Sequence, residues 1–275
     1  MKGALGWGAK NGNMLTGASI TSVVVMIIGS LAAGWVDAVV GGGGLILVPL
    51  IMIMNPAFSN AQALGVNKVA GVFGTSSAAV VLARKVPSAR GALRFAPLAL
   101  AGSIGGALLA SMLDKAVMRP IIIFALVAVG IFVALKPEFG QVAIPRRKTL
   151  AVWAAIAALI AVIGFYDGAF GPGTGMFLIL CFTTLLGMNF RDSAAWAKVL
   201  NVFTNLGALV TFAAQGEVLW LLGLVLAAAN VIGAQIGARM VLTKGSGFVR
   251  AVILAVVVVM ALKLGMDQFG VNPIG

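Results

Sequence analysis

Eight apolar stretches, each close to the length needed to cross a bilayer, dictate what this chain can fold into. Approximately, they cover residues 17–40, 62–83, 93–113, 118–135, 150–170, 194–214, 218–240 and 248–266. A helix of about 20 apolar residues, at about 1.5 Å rise each, spans the hydrocarbon core. The chain is 61% hydrophobic and 9% charged, with a mean hydropathy of +1.11. A soluble domain of this length has too little interior to hide that much apolar surface, whereas lipid solvates it. The expected fold is all-α and integral to the membrane, with no room for a soluble enzyme alongside.

Two shorter apolar pieces, 45–54 and 175–187, are left over. They are too short to span and fit half-helix or re-entrant segments. Each follows a glycine-rich break, Gly41-Gly42-Gly43-Gly44 in one case and Gly171-Pro172-Gly173-Thr174-Gly175 in the other. The breaks belong to an internal repeat. Gly34, Asp37, Gly41 and Gly43 recur 130 residues later as Gly164, Asp167, Gly171 and Gly173. The same offset carries Lys68-Val69, Val72-Phe73 and Ala78 onto Lys198-Val199, Val202-Phe203 and Ala208. Shared hydrophobicity does not account for matched Asp and Lys. The expectation is two homologous halves, 1–138 and 139–275, forming one transport domain and joined by a polar linker with Lys136, Glu138, Arg146, Arg147 and Lys148.

Four spans per half would make the repeats parallel. If each short segment completes a crossing, each half crosses five times and the repeats are inverted. Arg84, Lys85, Arg90 and Arg94 follow the second span of the first half, whereas the matching loop of the second half has only Glu217. Conversely, Arg239, Lys244 and Arg250 flank the loop near 241–247, against Asp114, Lys115 and Arg119 in the first half. Under the positive-inside rule this exchange tilts the reading toward inversion.

The net charge of +12 comes from 19 Lys and Arg against 7 Asp and Glu. The basic residues sit in short loops, as orienting charges do, and not in the contiguous patch that nucleic acid requires. Cys181 is the one cysteine and histidine is absent, which excludes an intrachain disulfide and Cys/His zinc sites. No cofactor is expected. The first apolar run is too long for a signal-peptide core and reads as a span that is kept.

Asp37, Lys68, Asp167 and Lys198 lie inside spans, where a charge costs about 2.5–3.5 kcal/mol on insertion scales. Two readings stay open. The lysines and aspartates could neutralise one another as structural pairs, or the lysines could face a polar cavity and attract an anion. Lys198, Asn201 and Asn205 share one helical stripe, and Lys68, Gly71 and Thr75 share the equivalent one. Asn67 adds a donor. Ammonium, amide and hydroxyl donors together can replace the hydration shell of a small oxyanion, although the same amides and hydroxyls also join membrane helices.

The breaks would add backbone donors. A half-helix starting just after Gly44 or Gly175 would aim free N–H groups and a positive dipole end into the membrane interior. The candidate substrate site is therefore Lys68, Lys198, Asn67, Thr75, Asn201, Asn205, Gly41, Gly42, Gly43, Gly44, Gly171, Gly173, Thr174 and Gly175. Asp37 and Asp167 serve it as pairing partners or as carriers of a coupled proton. Neither break has the Gly-Lys-Ser/Thr ending of a P-loop. Gly102, Gly105, Gly106, Gly233 and Gly237 read as sites of close helix approach.

At Gly34-Trp-Val-Asp-Ala-Val-Val-Gly-Gly-Gly-Gly44 with Pro49, Ala63-Leu-Gly-Val-Asn-Lys68 and Gly164-Phe-Tyr-Asp-Gly-Ala-Phe-Gly-Pro-Gly-Thr-Gly175, the chain resembles the sulfite exporter TauE/SafE family, also described as TSUP transporters. The likeness runs over nearly the whole chain. It implies a duplicated permease of the prokaryotic cell membrane for sulfite, thiosulfate, sulfonates or related small anions. The leading expectation is a secondary transporter that exports such an anion. An inside-negative potential would assist outward anion movement by about 2.3 kcal/mol per charge per 100 mV. The alternatives are a carboxylate permease, an importer of a sulfur compound, and a membrane scaffold that transports nothing. An intramembrane enzyme lacks support, since there is no histidine and no carboxylate cluster. The expected partners are the anion and the lipid bilayer, with proton coupling and homo-oligomers left open.

Overall fold

The computed structural model describes residues 20–112, 143 and 149–268. Among these every regular element is helical: α1 Ile20–Val40, α2 Gly43–Met54, α3 Asn60–Lys85, a 3-10 segment Pro87–Phe95, α4 Ala96–Ala110, α5 Leu150–Ala169, α6 Thr174–Leu186, α7 Phe190–Ala214 and α8 Trp220–Gln268. Six of these stretches are long and apolar enough to cross a bilayer: Thr21–Val40, Asn60–Lys85, Pro87–Ala110, Leu150–Ala169, Phe190–Ala214 and Trp220–Gly245. Of the eight expected spans, 118–135 lies outside the described residues, as does the polar linker. The 248–266 stretch continues α8 beyond a kink at Gly245, where φ is +75°. The two short apolar pieces are helices, α2 and α6.

Capping explains where the boundaries differ from a hydropathy reading. The long helix α3 begins at Asn60 because Ser59 and Gln62 form a reciprocal capping box. Likewise, α7 begins at Phe190, four residues before its apolar run, because the Asn189 side chain accepts from the Asp192 N–H. The run expected at 93–113 is a 3-10 segment opening at Pro87, followed by an α-helix.

The outer surface carries Ile28, Val162, Val210 and Ile232, while Lys68 and Lys198 are among the largest fully buried side chains. Apolar outside and charged inside is the arrangement a lipid solvent selects. Inside, α3 and α7 pack against each other, α1 packs on α8 and α5 on α4. The half-helix α2 lies against α1 and α3, and α6 against α5 and α7.

The central pair α3 and α7 is antiparallel. Ser59, at the start of α3, donates to Glu217 just past the end of α7, at 3.1 Å. At the other end a Cβ placed on Gly91, past α3, would lie 3.1 Å from the Trp196 ring near the start of α7. Close approach at glycine fixes the outer pairs. A side chain at Gly34, Gly233 or Gly237 would overlap backbone across α1 and α8, and one at Gly102, Gly106 or Gly164 would do so across α4 and α5. A Cβ at Gly105 would meet the Phe165 ring at ordinary contact distance, 3.5 Å.

Candidate functional site

Both breaks are built the same way. The first helix of each pair stops at a glycine in the left-handed region, Gly41 with φ +78° and Gly171 with φ +84°, where an L side chain is strained. The Gly41 N–H caps α1 by donating to the Asp37 carbonyl at 2.7 Å. A new helix then starts, α2 at Gly43 after Gly42 and α6 at Thr174 after Gly173. Each restart falls one or two residues earlier than the glycine pattern suggested.

The breaks touch. The Gly175 N–H donates to the Gly41 carbonyl at 3.2 Å, and a Cβ on either residue would overlap the Cα of the other. Gly175 is therefore a contact between the two breaks, and its N–H is already spent. By contrast, the Gly43 and Gly44 N–H groups at the start of α2 have no bonded partner among the described residues, and both glycines line the central cavity. Among the residues that line the cavity, open backbone donors thus come from the first break.

The four intramembrane charges form two pairs, and the pairing is crossed. Lys68 Nζ on α3 meets Asp167 Oδ2 on α5 at 2.8 Å, and Lys198 Nζ on α7 meets Asp37 Oδ2 on α1 at 2.9 Å. Each lysine bridges to the motif 99 or 161 residues away, which the spacing of the residues does not disclose. Thr174 Oγ1 donates to Asp167 Oδ1 at 2.7 Å. Thr75 Oγ1 donates to Asp37 Oδ2 at 3.0 Å and accepts from Asn205 Nδ2 at 3.4 Å. Thr75 and Asn205 are themselves 130 positions apart.

Most of these groups line one cavity. Asp37, Gly41, Gly43, Gly44, Asn67, Lys68, Thr75, Asp167, Gly171, Asn201 and Asn205 line it, joined by Gly71 and Asn230. Gly42, Gly173, Thr174 and Gly175 lie outside the lining and shape or brace it; Lys198 is outside it too and meets it only through its bond to Asp37. The free space, counted by where the centre of a water molecule fits, is about 20 Å³. That is room for one or two waters. An oxyanion would need the cavity to widen.

Tyr166 was not singled out from sequence. Its hydroxyl donates to the Pro172 carbonyl at 2.7 Å and pins the second break. The first half has Val36 at the corresponding position, so the repeat gave no signal for it. Gln235 bonds the Ser77 hydroxyl, away from the lining. Asn230 reaches the cavity while its amide donates to the Ser30 carbonyl at 3.1 Å.

One consequence concerns Thr75. Thr75→Val keeps the shape and removes the hydroxyl that ties Asp37 to α3. Stability should fall by about 1 kcal/mol, seen as a thermal midpoint in detergent lower by a few degrees. An unchanged midpoint would mean that this hydrogen bond holds nothing.

Apolar helices around a charged interior, with two broken helices meeting near its centre, form the architecture of membrane transporters, in which irregular backbone lines a site. Comparison with known proteins narrows the class. The family model described as "Sulfite exporter TauE/SafE" matches residues 25–264. A Sinorhizobium protein, "Probable membrane transporter protein ORF9", is 36% identical over 88% of this chain and 92% of its own length. "Probable membrane transporter protein YfcA" of Escherichia coli K12 is 36% identical over 90% of each chain. A "Probable membrane transporter protein" of Haemophilus influenzae is 34% identical over 90% of this chain and 96% of its own length. No solved structure gives a significant match. The chain belongs to the sulfite exporter TauE/SafE family, and is an integral membrane transporter of the bacterial cell membrane.

Proposed function

We propose that this transporter exports a small sulfur-containing oxyanion, such as sulfite, thiosulfate or a sulfonate, through the central cavity. The observation that carries the reading is a cavity lined by the Lys68 ammonium and by the open Gly43 and Gly44 amides, with Lys198 held behind its wall by Asp37. An ammonium offers three donors on a point charge, and helix-start amides add a partial positive charge. The Asn67, Asn201 and Asn205 amides supply neutral donors nearby. A tetrahedral or pyramidal oxyanion presents acceptors in several directions at once, which suits donors converging from opposite helices.

In the resting arrangement Asp37 and Asp167 occupy the lysines. Substrate oxygens would take the carboxylates' places, so the pairs both hold the closed cavity and become the binding site when it opens. The two halves act as inverted repeats. The antiparallel run of α3 and α7, the crossed pairs and the meeting of Thr75 with Asn205 support this. Rocking one half against the other would then expose the same charges to either side of the membrane.

The test is flux into liposomes carrying purified protein. Sulfite, thiosulfate, taurine, sulfate and acetate are offered in turn, under imposed pH and voltage gradients. The expected result is saturable flux of one sulfur oxyanion at least tenfold above acetate. Equal or absent flux of all five rejects the proposed substrate class, and preference for acetate supports a carboxylate permease instead.

A further inference from the structure

The two ion pairs correspond in sequence, but their surroundings are unequal. Asp167 is sealed. Its side chain is 2% exposed, Oδ2 takes Lys68 and Oδ1 takes the Thr174 hydroxyl. Asp37 is 15% exposed, and both of its bonds, from Lys198 and Thr75, fall on Oδ2. Its Oδ1 has no hydrogen-bond partner among the described residues. One carboxylate of the pair is therefore locked, and the other has an oxygen left for a proton.

Charge balance says what that oxygen is for. With both pairs formed, the charges at the cavity, Lys68 and the two carboxylates in its wall and Lys198 bonded to Asp37 behind it, sum to zero. A monoanion entering alone would leave one uncompensated negative charge deep in the protein, where ionic groups are strongly disfavoured. One proton arriving with it restores neutrality. The groups facing Asp37 narrow its destination. Lys198 faces it from α7, and Lys68 and Thr75 line the same cavity from α3. Asp167 lies across the cavity on α5, α8 contributes the uncharged Asn230, and α2 has no titratable side chain. Apart from the locked Asp167, no other carboxylate among the described residues lines the space.

We infer that Asp37, and not Asp167, is the proton-carrying residue of this transporter. It takes one proton for each monoanion, frees Lys198 to bind the anion and returns the proton where the anion leaves. The carboxylate–ammonium contact breaks, the carboxyl O–H forms, and the reverse occurs on release. Transport is then electroneutral, so voltage gives no assistance, and direction follows the sum of the anion and proton gradients. Asp167 with Lys68 is the fixed half of the site.

This inference rests on the proposed anion-transport function, and the experiment separates the two. Purified protein in liposomes, with a trapped pH dye and a potassium–valinomycin voltage clamp, is given labelled sulfite. Wild type should bring in protons with sulfite, at a rate that changes less than twofold when the voltage is reversed. Asp37→Asn should lose pH-driven accumulation at least tenfold while still exchanging external for internal sulfite. Asp167→Asn, scored only if it elutes as a folded protein in detergent, should not show that split. Voltage-driven sulfite entry without protons overturns the inference, as does pH-driven accumulation by Asp37→Asn. Uncoupling by Asp167→Asn with Asp37→Asn still coupled does so too. If wild type carries sulfite in neither mode, the sulfite reading fails and the inference falls with it.

Discussion

Lys68→Ala should remove folded transporter from the membrane, and adding Asp167→Ala should restore the fold without restoring transport. The single substitution deletes an ammonium that is 1% exposed and 2.8 Å from a carboxylate that is 2% exposed. Asp167 would then be left charged with only the Thr174 hydroxyl to compensate it. Breaking one side of a buried pair costs about 3–5 kcal/mol, whereas removing both sides is often neutral. The measurement is the monodisperse peak of a fluorescent fusion extracted in detergent, followed by flux from whatever survives. Lys198→Ala should behave differently. Its partner Asp37 is 15% exposed with one oxygen unbonded, so water can take over part of the ammonium's role. That variant should fold and lose flux at least tenfold. If Lys68→Ala expresses and transports like wild type, the ammonium is neither a structural pair nor a ligand for the anion.

The contrast between the two lysines shows which parts of the site can be read from sequence. Intramembrane Asp and Lys at a fixed offset announce themselves because charge is rare and costly there. The crossed partnership of Lys68 with Asp167 is invisible, since an offset of 130 residues relates equivalent positions and says nothing of which halves exchange side chains. Alternatives left open by the sequence turn out to be compatible geometrically for Lys68, which is paired and also lines the cavity, whereas Lys198 is paired to the lining residue Asp37 without lining it. Glycine runs located the breaks, because positive φ and close backbone approach leave few other residues possible. They did not disclose that the second break spends its Gly175 amide on Gly41 while the first keeps its amides open. The helix starts at Asn60 and Phe190 were missed for a similar reason. Hydropathy follows apolar length, whereas caps are set by single polar side chains such as Ser59 and Asn189.

Substituting single glycines in the first break should divide folding from binding. Gly41→Ala meets two obstacles at once. At φ +78° an alanine is strained by about 1–2 kcal/mol, and its Cβ would overlap the Gly175 Cα. Both are backbone, with no flexible side chain to swing aside, so the two breaks would have to part. Folded protein should be lost, as judged by the same detergent elution. Three residues on, Gly44 lies under no such constraint. A Cβ there would sit 3.6 Å from Asn67 Nδ2 and 3.7 Å from the Pro172 Cα, which is ordinary packing. Gly44→Ala should therefore fold and elute like wild type. Its methyl, however, would enter a space of about 20 Å³ beside the open α2 amides, the position where an oxyanion would accept from the backbone. Sulfite flux should fall at least tenfold, mainly through weaker binding and a raised KM. Normal flux from a folded Gly44→Ala variant would remove the α2 start from the binding site and leave the two lysines with the side-chain amides to hold the anion.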